Sequence, residues 1–424
     1  MKFEPYWLDT TPAFDKSAGG TIERRADVAV IGGGFTGLSA ALALAKKGAS
    51  VVVLESNRVV GEASGRNGGH CNNGLSLDFG HVVDRLGFER ARDLYLAYDA
   101  AVDTVERTIA EEKIACDFRR GGKIKLAAKP DHFKAMARSH ELLLRDVDSE
   151  IDLVSDADIA AEIGSKQFHG GLIQRKSAQM HMGQFGVGLA EAAVRSGARI
   201  YEHAAVTGLQ RSSGRHRITT QRGTIEAAQA LVATGPSSKG PFSYFRRRII
   251  PVGSFVTATE PLTETLADSI MPRYRTATTS RAIGHYFRRT SDNRLLFGGR
   301  ARFTLPSRRA TLNSGRILQQ SMRTMFPQLE SVRLDYCWSG LVDMTADRMP
   351  RAGEHSGLFY CMGYSGHGTQ MSVHMGRLMA EIMNGNKGAN PLHDLKWAAI
   401  PGHFGPPWFM PILGAYYRFK DRFC

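Results

Sequence analysis

Glycines at residues 32, 34 and 37 stand in the run Gly-Gly-Gly-Phe-Thr-Gly, with Phe35 and Thr36 inside it and Glu55 closing the unit further on. This spacing suits a turn that receives a pyrophosphate. Gly32 makes the tight turn, Gly34 removes a Cβ from the path of the phosphates, and Gly37 lets the next helix lie close to the strand. The N-terminus of that helix offers amides and partial positive charge, worth about 0.3–1 kcal/mol per exposed interaction. Glu55 is placed to accept hydrogen bonds from ribose hydroxyls. Its charge disfavours a 2′-phosphate, which argues against NADP. A second group, Ser64, Arg66, Asn67, Gly68 and Gly69, lies in a loop over residues 60–74 rich in backbone N–H groups, suited to an anion or a planar polar ligand. A third, Gly366, His367, Gly368 and Thr369, precedes a helix and forms another site for an anion or a carbonyl oxygen.

These groups need elements to hold them. Residues 26–31, Asp27 apart, and 51–54 are apolar, as in strands buried on both faces. An Ala/Leu-rich helix runs between them and stops at Gly48. The loop over residues 60–74 is too polar and glycine-rich for a packed helix or strand. Helices are expected over residues 89–114, 130–146, 183–196 and 312–325, and from the last glycine turn to about residue 384. Strand-like runs cover residues 123–127, 198–202, 206–209, 230–233, 249–260, 283–289, 294–299, 336–341 and 358–362, with a hairpin around Arg222-Gly223. The expected division is a dinucleotide domain from 26–78, 150–240 and 335–396. A second domain, built on an antiparallel sheet, takes 79–149 and 241–334. Residues 1–25 form a surface arm. The tail 397–424, rich in proline and aromatic residues, wraps the surface or touches a membrane.

The 424 residues exceed one core, and a 42% apolar, 23% charged composition is that of a soluble globular protein. No apolar run reaches the ~20 residues that span a bilayer, and no leader is evident at the N-terminus. Cys71, Cys116, Cys337, Cys361 and Cys424 are scattered without metal spacing, and free thiols in a cytoplasmic setting are expected. The net charge of +14 fits an anionic ligand, a nucleic acid or merely a basic surface. The arginine clusters at 246–248, 288–289 and 308–309 read first as solvated faces.

Together the motifs resemble the FAD-dependent amine and amino-acid oxidoreductases of the D-amino-acid oxidase and glycine oxidase type. The carrying pieces are residues 30–37, Leu54-Glu55, 61–69, 231–235, Trp338-Ser-Gly340, 345–350 and 363–368. Residues 64–69 and 338–347 look most like the γ-glutamylputrescine oxidase branch. The resemblance implies an α/β fold: a Rossmann-like FAD-binding domain of the glutathione-reductase type with a discontinuous α+β substrate domain. It implies non-covalent FAD, with Gly32, Gly34, Phe35, Thr36 and Gly37 at the pyrophosphate and Glu55 at the ribose. Ser64, Arg66, Asn67, Gly68 and Gly69 would line the ring and diphosphate, and the Val206 backbone would pair with adenine. Ala233, Thr234 and Gly235 would close over the dinucleotide. Gly340 joins the cofactor-binding set, and Gly366, His367, Gly368 and Thr369 would sit by the flavin C2 carbonyl.

Two departures bear on substrate. The arginine that holds the carboxylate of free α-amino acids follows the equivalent of Gly340-Leu341; here Val342 and Asp343 stand there. An amine or longer polar substrate therefore gains weight. Arg288 and Arg300 could hold a distal carboxylate or be surface arginines. The cysteine tether of sarcosine oxidases is absent from residues 342–347, leaving His70 and Cys71 as the nearby tethers to consider. Tyr286, Arg288 and Trp338 are the catalytic candidates at the substrate face, with sheet packing as their alternative role. The implied reaction oxidises an amine C–N bond to an imine, with electrons passing to oxygen or another carrier. No metal and no nucleic acid partner are expected. A tRNA-base-modifying flavoprotein and a flavin-binding electron-transfer partner are the rival readings.

Overall fold

In the computed structural model, residues 1–237, 239–299, 304–405 and 407–423 are described. Val, Ala, Leu and Ile fill the strands Arg25–Ile31 and Val51–Leu54 and the end of Gly223–Val232, and both faces of these strands are covered. They pair in parallel within one sheet, in the order Arg351–His355, Leu358–Met362, Gly223–Val232, Arg25–Ile31, Val51–Leu54, Arg199–Tyr201, where Arg351–His355 runs antiparallel to its neighbour. The expected hairpin around Arg222-Gly223 joins Arg215–Thr220 to Gly223–Val232. Two helices, Phe35–Lys46 and Gly368–Met383, pack against each other beside this sheet. Ser39 Oγ donates to Val373 O at 2.7 Å, and Thr36 Oγ1 lies 2.7 Å from Tyr364 OH. At Gly376 a Cβ would come within 2.5 Å of the Thr36 carbonyl oxygen, so only glycine permits this approach.

A second sheet runs Leu334–Met344, Ile250–Thr259, Leu295–Gly299, His285–Arg289, Thr276–Thr279, Lys123–Leu126, Gly171–Gln174, Ile151–Val154. Its pairs are antiparallel except Thr276–Thr279 with Lys123–Leu126. Side chains alternate across it. Ile124, Leu126, Ala277, Phe287, Phe297 and Phe255 enter a core shared with helix Arg308–Met325, whereas Lys123, Lys125, Thr278 and Tyr286 face a cavity on the other side.

Several expectations shift. Ile151–Val154, Gly171–Gln174 and Leu334–Met344 were grouped with the dinucleotide unit, but they hydrogen-bond into the second sheet. The N-terminal arm is not superficial. Tyr6 and Trp7 are core residues, Lys2 N donates to Asp335 O at 2.6 Å, and Cys337 N donates to Lys2 O at 2.9 Å. The loop over residues 60–74 contains one helical turn, Ala63–Arg66, and a short strand, His70–Cys71, paired with Ala178–Gln179. The tail forms a helix, Met410–Phe423, that leaves Ile412, Tyr416 and Phe419 exposed. No described helix is long and apolar enough to cross a membrane. Cys71, Cys116, Cys337 and Cys361 are free and buried, while Cys424 lies outside the described residues.

Trp7 is 1% exposed, and its indole N–H donates to Asn67 O at 2.7 Å. Trp7→Ala should cost about 3–5 kcal/mol and loosen the loop that carries Asn67. Urea unfolding checks this; an unchanged midpoint would show that the arm is dispensable.

Candidate active site

Strand Arg25–Ile31 delivers the chain to Gly32, where φ is +114° and a Cβ would come within 2.5 Å of Ala233 O. At Gly37 a Cβ would collide with the Gly32 carbonyl oxygen, so the helix rests directly on the turn. Gly33 N donates to Glu55 Oε2 at 2.6 Å, and Asn57 N donates to Glu55 Oε1 at 2.8 Å. These bonds hold the Glu55 carboxylate against the cavity wall, with lone-pair capacity left on Oε2. Phe35 N takes Ser64 Oγ as acceptor at 3.0 Å, which links the glycine turn to the loop over residues 60–74.

Turn and loop line one cavity of about 1160 Å³, larger than a typical small-ligand site. Among the expected cofactor residues, Gly32, Gly34, Phe35, Thr36, Glu55, Ser64, Arg66, Asn67 and Gly68 line it. Val206, Ala233, Thr234, Gly235, Gly340 and Gly366 to Thr369 line it as well. Gly37 and Gly69 stand just behind the wall. Arg66 is committed to structure: Nε donates to Gly61 O at 2.7 Å and Nη1 to Ser339 O at 3.1 Å. Helices Phe35–Lys46 and Gly368–Met383 both open onto the cavity, and neither Gly34 nor His367 caps its helix with a side-chain bond. Two long helices therefore aim uncapped, partly positive ends into one space. The turn before the second helix is pinned by Asp343, whose Oδ2 accepts from Gly363 N at 2.6 Å. Burial pushes the Asp343 carboxyl up to about 6, against the lowering effect of the Gly363 and Tyr364 amides.

The catalytic candidates separate. Tyr286 faces the cavity, with its hydroxyl 3.2 Å from Ser254 Oγ and its ring edge-on to His70 at 5.5 Å. Trp338 does not reach the substrate face: it is fully buried, and its N–H donates to Arg66 O at 2.9 Å. Arg288 does not reach it either. It is 3% exposed and donates to Gly69 O and Met180 O, both at 2.8 Å. Burial holds its guanidinium down to about 10. Both side chains serve to fix the loop that carries Asn67 and Gly69. Arg300 lies outside the described residues.

Two residues add to the site. His70 lines the cavity, and its Nε2 is buried without a protein partner. Burial, then the charges of Arg288, Lys123 and His367, push it down to about 3, so it stays neutral. Of the two nearby tethers, His70 faces the cavity, while Cys71 is fully buried and does not line it. Lys123 was read only as a strand residue. Its Nζ donates to Asn73 O at 2.6 Å, and burial, followed by the charge of Lys125, pushes it down to about 7. The alternation Lys-Ile-Lys-Leu was the available signal: one lysine face of a core sheet must point at something polar.

The residues fit a flavin dinucleotide. Uncapped helix ends await anionic groups, and an orphaned His70 nitrogen looks into a long cavity.

The family model described as DAO, FAD dependent oxidoreductase, matches residues 27–382. The chain is 32% identical over 403 residues to the gamma-glutamylputrescine oxidoreductase of Escherichia coli, covering 93% of each. It is 31% identical over 410 residues to the probable oxidoreductase OrdL of Haemophilus influenzae, covering 94% of this chain and 92% of that one. The crystal structure of glycine oxidase from Geobacillus kaustophilus superposes with a TM-score of 0.72 at 23% identity, over 90% of this chain and 100% of that one, a likeness of fold.

A raised carboxyl makes a pH prediction. The native state holds the Asp343 proton more tightly than the unfolded chain does. The contribution of Asp343 to stability therefore falls as pH rises from about 4, the unfolded value, to about 6, by about 3 kcal/mol. Asp343→Asn keeps an acceptor for Gly363 N but cannot ionise, so its stability should lack this fall and diverge from that of the unaltered protein across the window. Parallel pH profiles for the two proteins would contradict this.

Proposed function

The chain belongs to the DAO family of FAD dependent oxidoreductases, and from that premise we propose that it oxidises the C–N bond of an amine rather than of a short free α-amino acid. The substrate class is a γ-glutamylputrescine-like amine, a polyamine or an N-alkyl amine. The imine product hydrolyses in water to an aldehyde or ketone. When bound, without a covalent tether, FAD supplies the hydride acceptor and passes the electrons on to oxygen or another carrier.

The observation that carries this reading is the convergence of two uncapped helix N-termini on one cavity that Tyr286, His70 and Lys123 also face. The first helix end and the Gly32 turn suit the diphosphate. The second, with Gly366, His367, Gly368 and Thr369, suits the polar edge of the flavin ring, where negative charge develops on hydride transfer. Val206, Ala233, Thr234 and Gly235 would close over the adenosine end. Tyr286 would flank the substrate. Where an α-carboxylate would need a cation, the chain has buried Asp343, which favours an amine. Lys123, drawn toward neutrality by burial, is a general base available near pH 7 for an incoming ammonium group; the transfer is uphill, and oxidation of the neutral amine draws it forward.

A polyanion partner finds less support. Arg248 stacks on Tyr244 and donates to Trp397 O at 3.0 Å, Arg288 is buried, and Arg289 pairs with Asp268. These arginines serve the fold rather than form a contiguous basic face.

The purified protein should be yellow and should bleach without oxygen when an amine of this class is added. Readmitted air then separates an oxidase from a dehydrogenase. A preparation that takes up no FAD, or FAD that short α-amino acids bleach and amines of this class do not, contradicts the reading, as does FAD that neither bleaches. Lys123→Met should slow bleaching at pH 7 by roughly 10-fold or more and move the pH of half-maximal rate upward, toward the free amine's own pKa. An unshifted profile would exclude Lys123 as the proton acceptor.

A further inference from the structure

Past Tyr286 the cavity continues along the second sheet to a region that the oxidation chemistry leaves unused. Three elements meet there: strand Lys123–Leu126, helix Pro130–Leu144 and the turn formed by residues 280–284. Lys125 is in register with Thr278, which is in register with Tyr286. Two interstrand steps separate Lys125 from Tyr286, roughly 10 Å. Lys125 Nζ lies 3.4 Å from Asp78 Oδ2, and Asp78 Oδ1 also accepts from Ser139 Oγ at 2.5 Å. Arg281 lines the same end of the cavity, is exposed, and makes no side-chain hydrogen bond or ion pair to any described residue. Ser280 Oγ accepts from Ala128 N at 3.0 Å and lies 2.6 Å from His132 Nδ1, which ties the turn down.

The turn already grips one carboxylate. Ala282 N and Ile283 N donate to Asp421 Oδ1 and Oδ2 at 2.8 and 2.7 Å. Asp421 belongs to the C-terminal helix, and Tyr417, one turn earlier, lines the cavity. The backbone amides satisfy the Asp421 oxygens, so that carboxylate makes no ion pair with Arg281, and Asp78 offsets part of Lys125. The guanidinium of Arg281 is left uncommitted at the far end of the cavity.

The geometry points to a carboxylate-binding subsite formed by Arg281 and Lys125, which selects amines carrying an anionic group roughly 10 Å from the part of the ligand that lies beside Tyr286. That span is about three residues of extended chain, or eight to nine chain atoms. It rests on the amine-oxidation reading above, and it reassigns to Arg281 the role considered for Arg288 and Arg300. A guanidinium–carboxylate pair at a cavity wall is worth a roughly 10- to 100-fold difference in affinity.

The test uses the full-length FAD-loaded protein and a ligand that cannot be oxidised. Calorimetry with N-butylsuccinamic acid and its terminal carboxamide should show the acid binding roughly 10- to 100-fold more tightly. R281Q should remove the difference without weakening the carboxamide, and R281K should restore part of it. Equal binding of acid and carboxamide by the unaltered protein, or equal losses for both in R281Q, overturns the subsite. The companion experiment is anaerobic flavin bleaching by N-(4-aminobutyl)succinamic acid. The subsite predicts half-saturation at a lower concentration than for its carboxamide. Absence of bleaching with the calorimetric difference intact would sink amine oxidation while supporting the subsite.

Discussion

One backbone contact governs the site: the approach of helix Gly368–Met383 to helix Phe35–Lys46 at Gly376, against the Thr36 carbonyl. The two helices arise from opposite ends of the chain, and each begins at a glycine-rich turn leaving a buried strand. The Gly376 contact and the Ser39–Val373 bond join the start of helix Phe35–Lys46 to the second and third turns of helix Gly368–Met383, and the Thr36–Tyr364 bond ties in the turn that precedes it. Both N-termini are therefore held at one cavity, and neither has a side-chain bond from its own N-cap residue. A side chain at Gly376 would separate them, and the two partial charges would no longer act on one ligand.

The second sheet supplies the opposite wall by simple alternation. Its inward face is aromatic and aliphatic, packed on helix Arg308–Met325. Its other face carries Lys123, Lys125, Thr278 and Tyr286 toward the cavity. Burial on this face changes the chemistry of the lysines by position. Lys123 is enclosed and drawn toward neutrality, whereas Lys125, two residues on, keeps an acid partner in Asp78. One strand thus presents two lysines to the cavity in different surroundings, one enclosed and one paired with an acid.

What could be read from the sequence follows the same division. Local patterns were legible: the glycine turn, the acid at Glu55, the hairpin at Arg222-Gly223 and the turn before the last helix each depend on neighbours in the chain. Non-local packing was not. Arg288 and Trp338 looked like substrate-facing residues because their strands line the cavity, but each spends its polar atoms on backbone carbonyls of the loop over residues 60–74. Nothing in the local sequence distinguishes a guanidinium that stitches two segments from one that waits for ligand. Likewise Tyr6 and Trp7 sit in a proline-containing arm that reads as surface, and only distant partners account for their burial: Asn67 and His181 for Trp7, Asp292 and Tyr336 for Tyr6. The C-terminal helix escaped because its prolines and aromatics resemble a wrapping tail, while its anchor, Asp421, bonds to a turn far away in sequence.

The central claim is that one flavin dinucleotide spans both helix ends. A crystal structure of the FAD-loaded protein tests it most directly. The account places the diphosphate at the first turn of helix Phe35–Lys46 and the ring's C2 carbonyl within hydrogen-bonding distance of the Gly368–Thr369 amides, with the substrate face toward Tyr286. A flavin seated elsewhere, or a ring that leaves the second helix end to solvent, would contradict it.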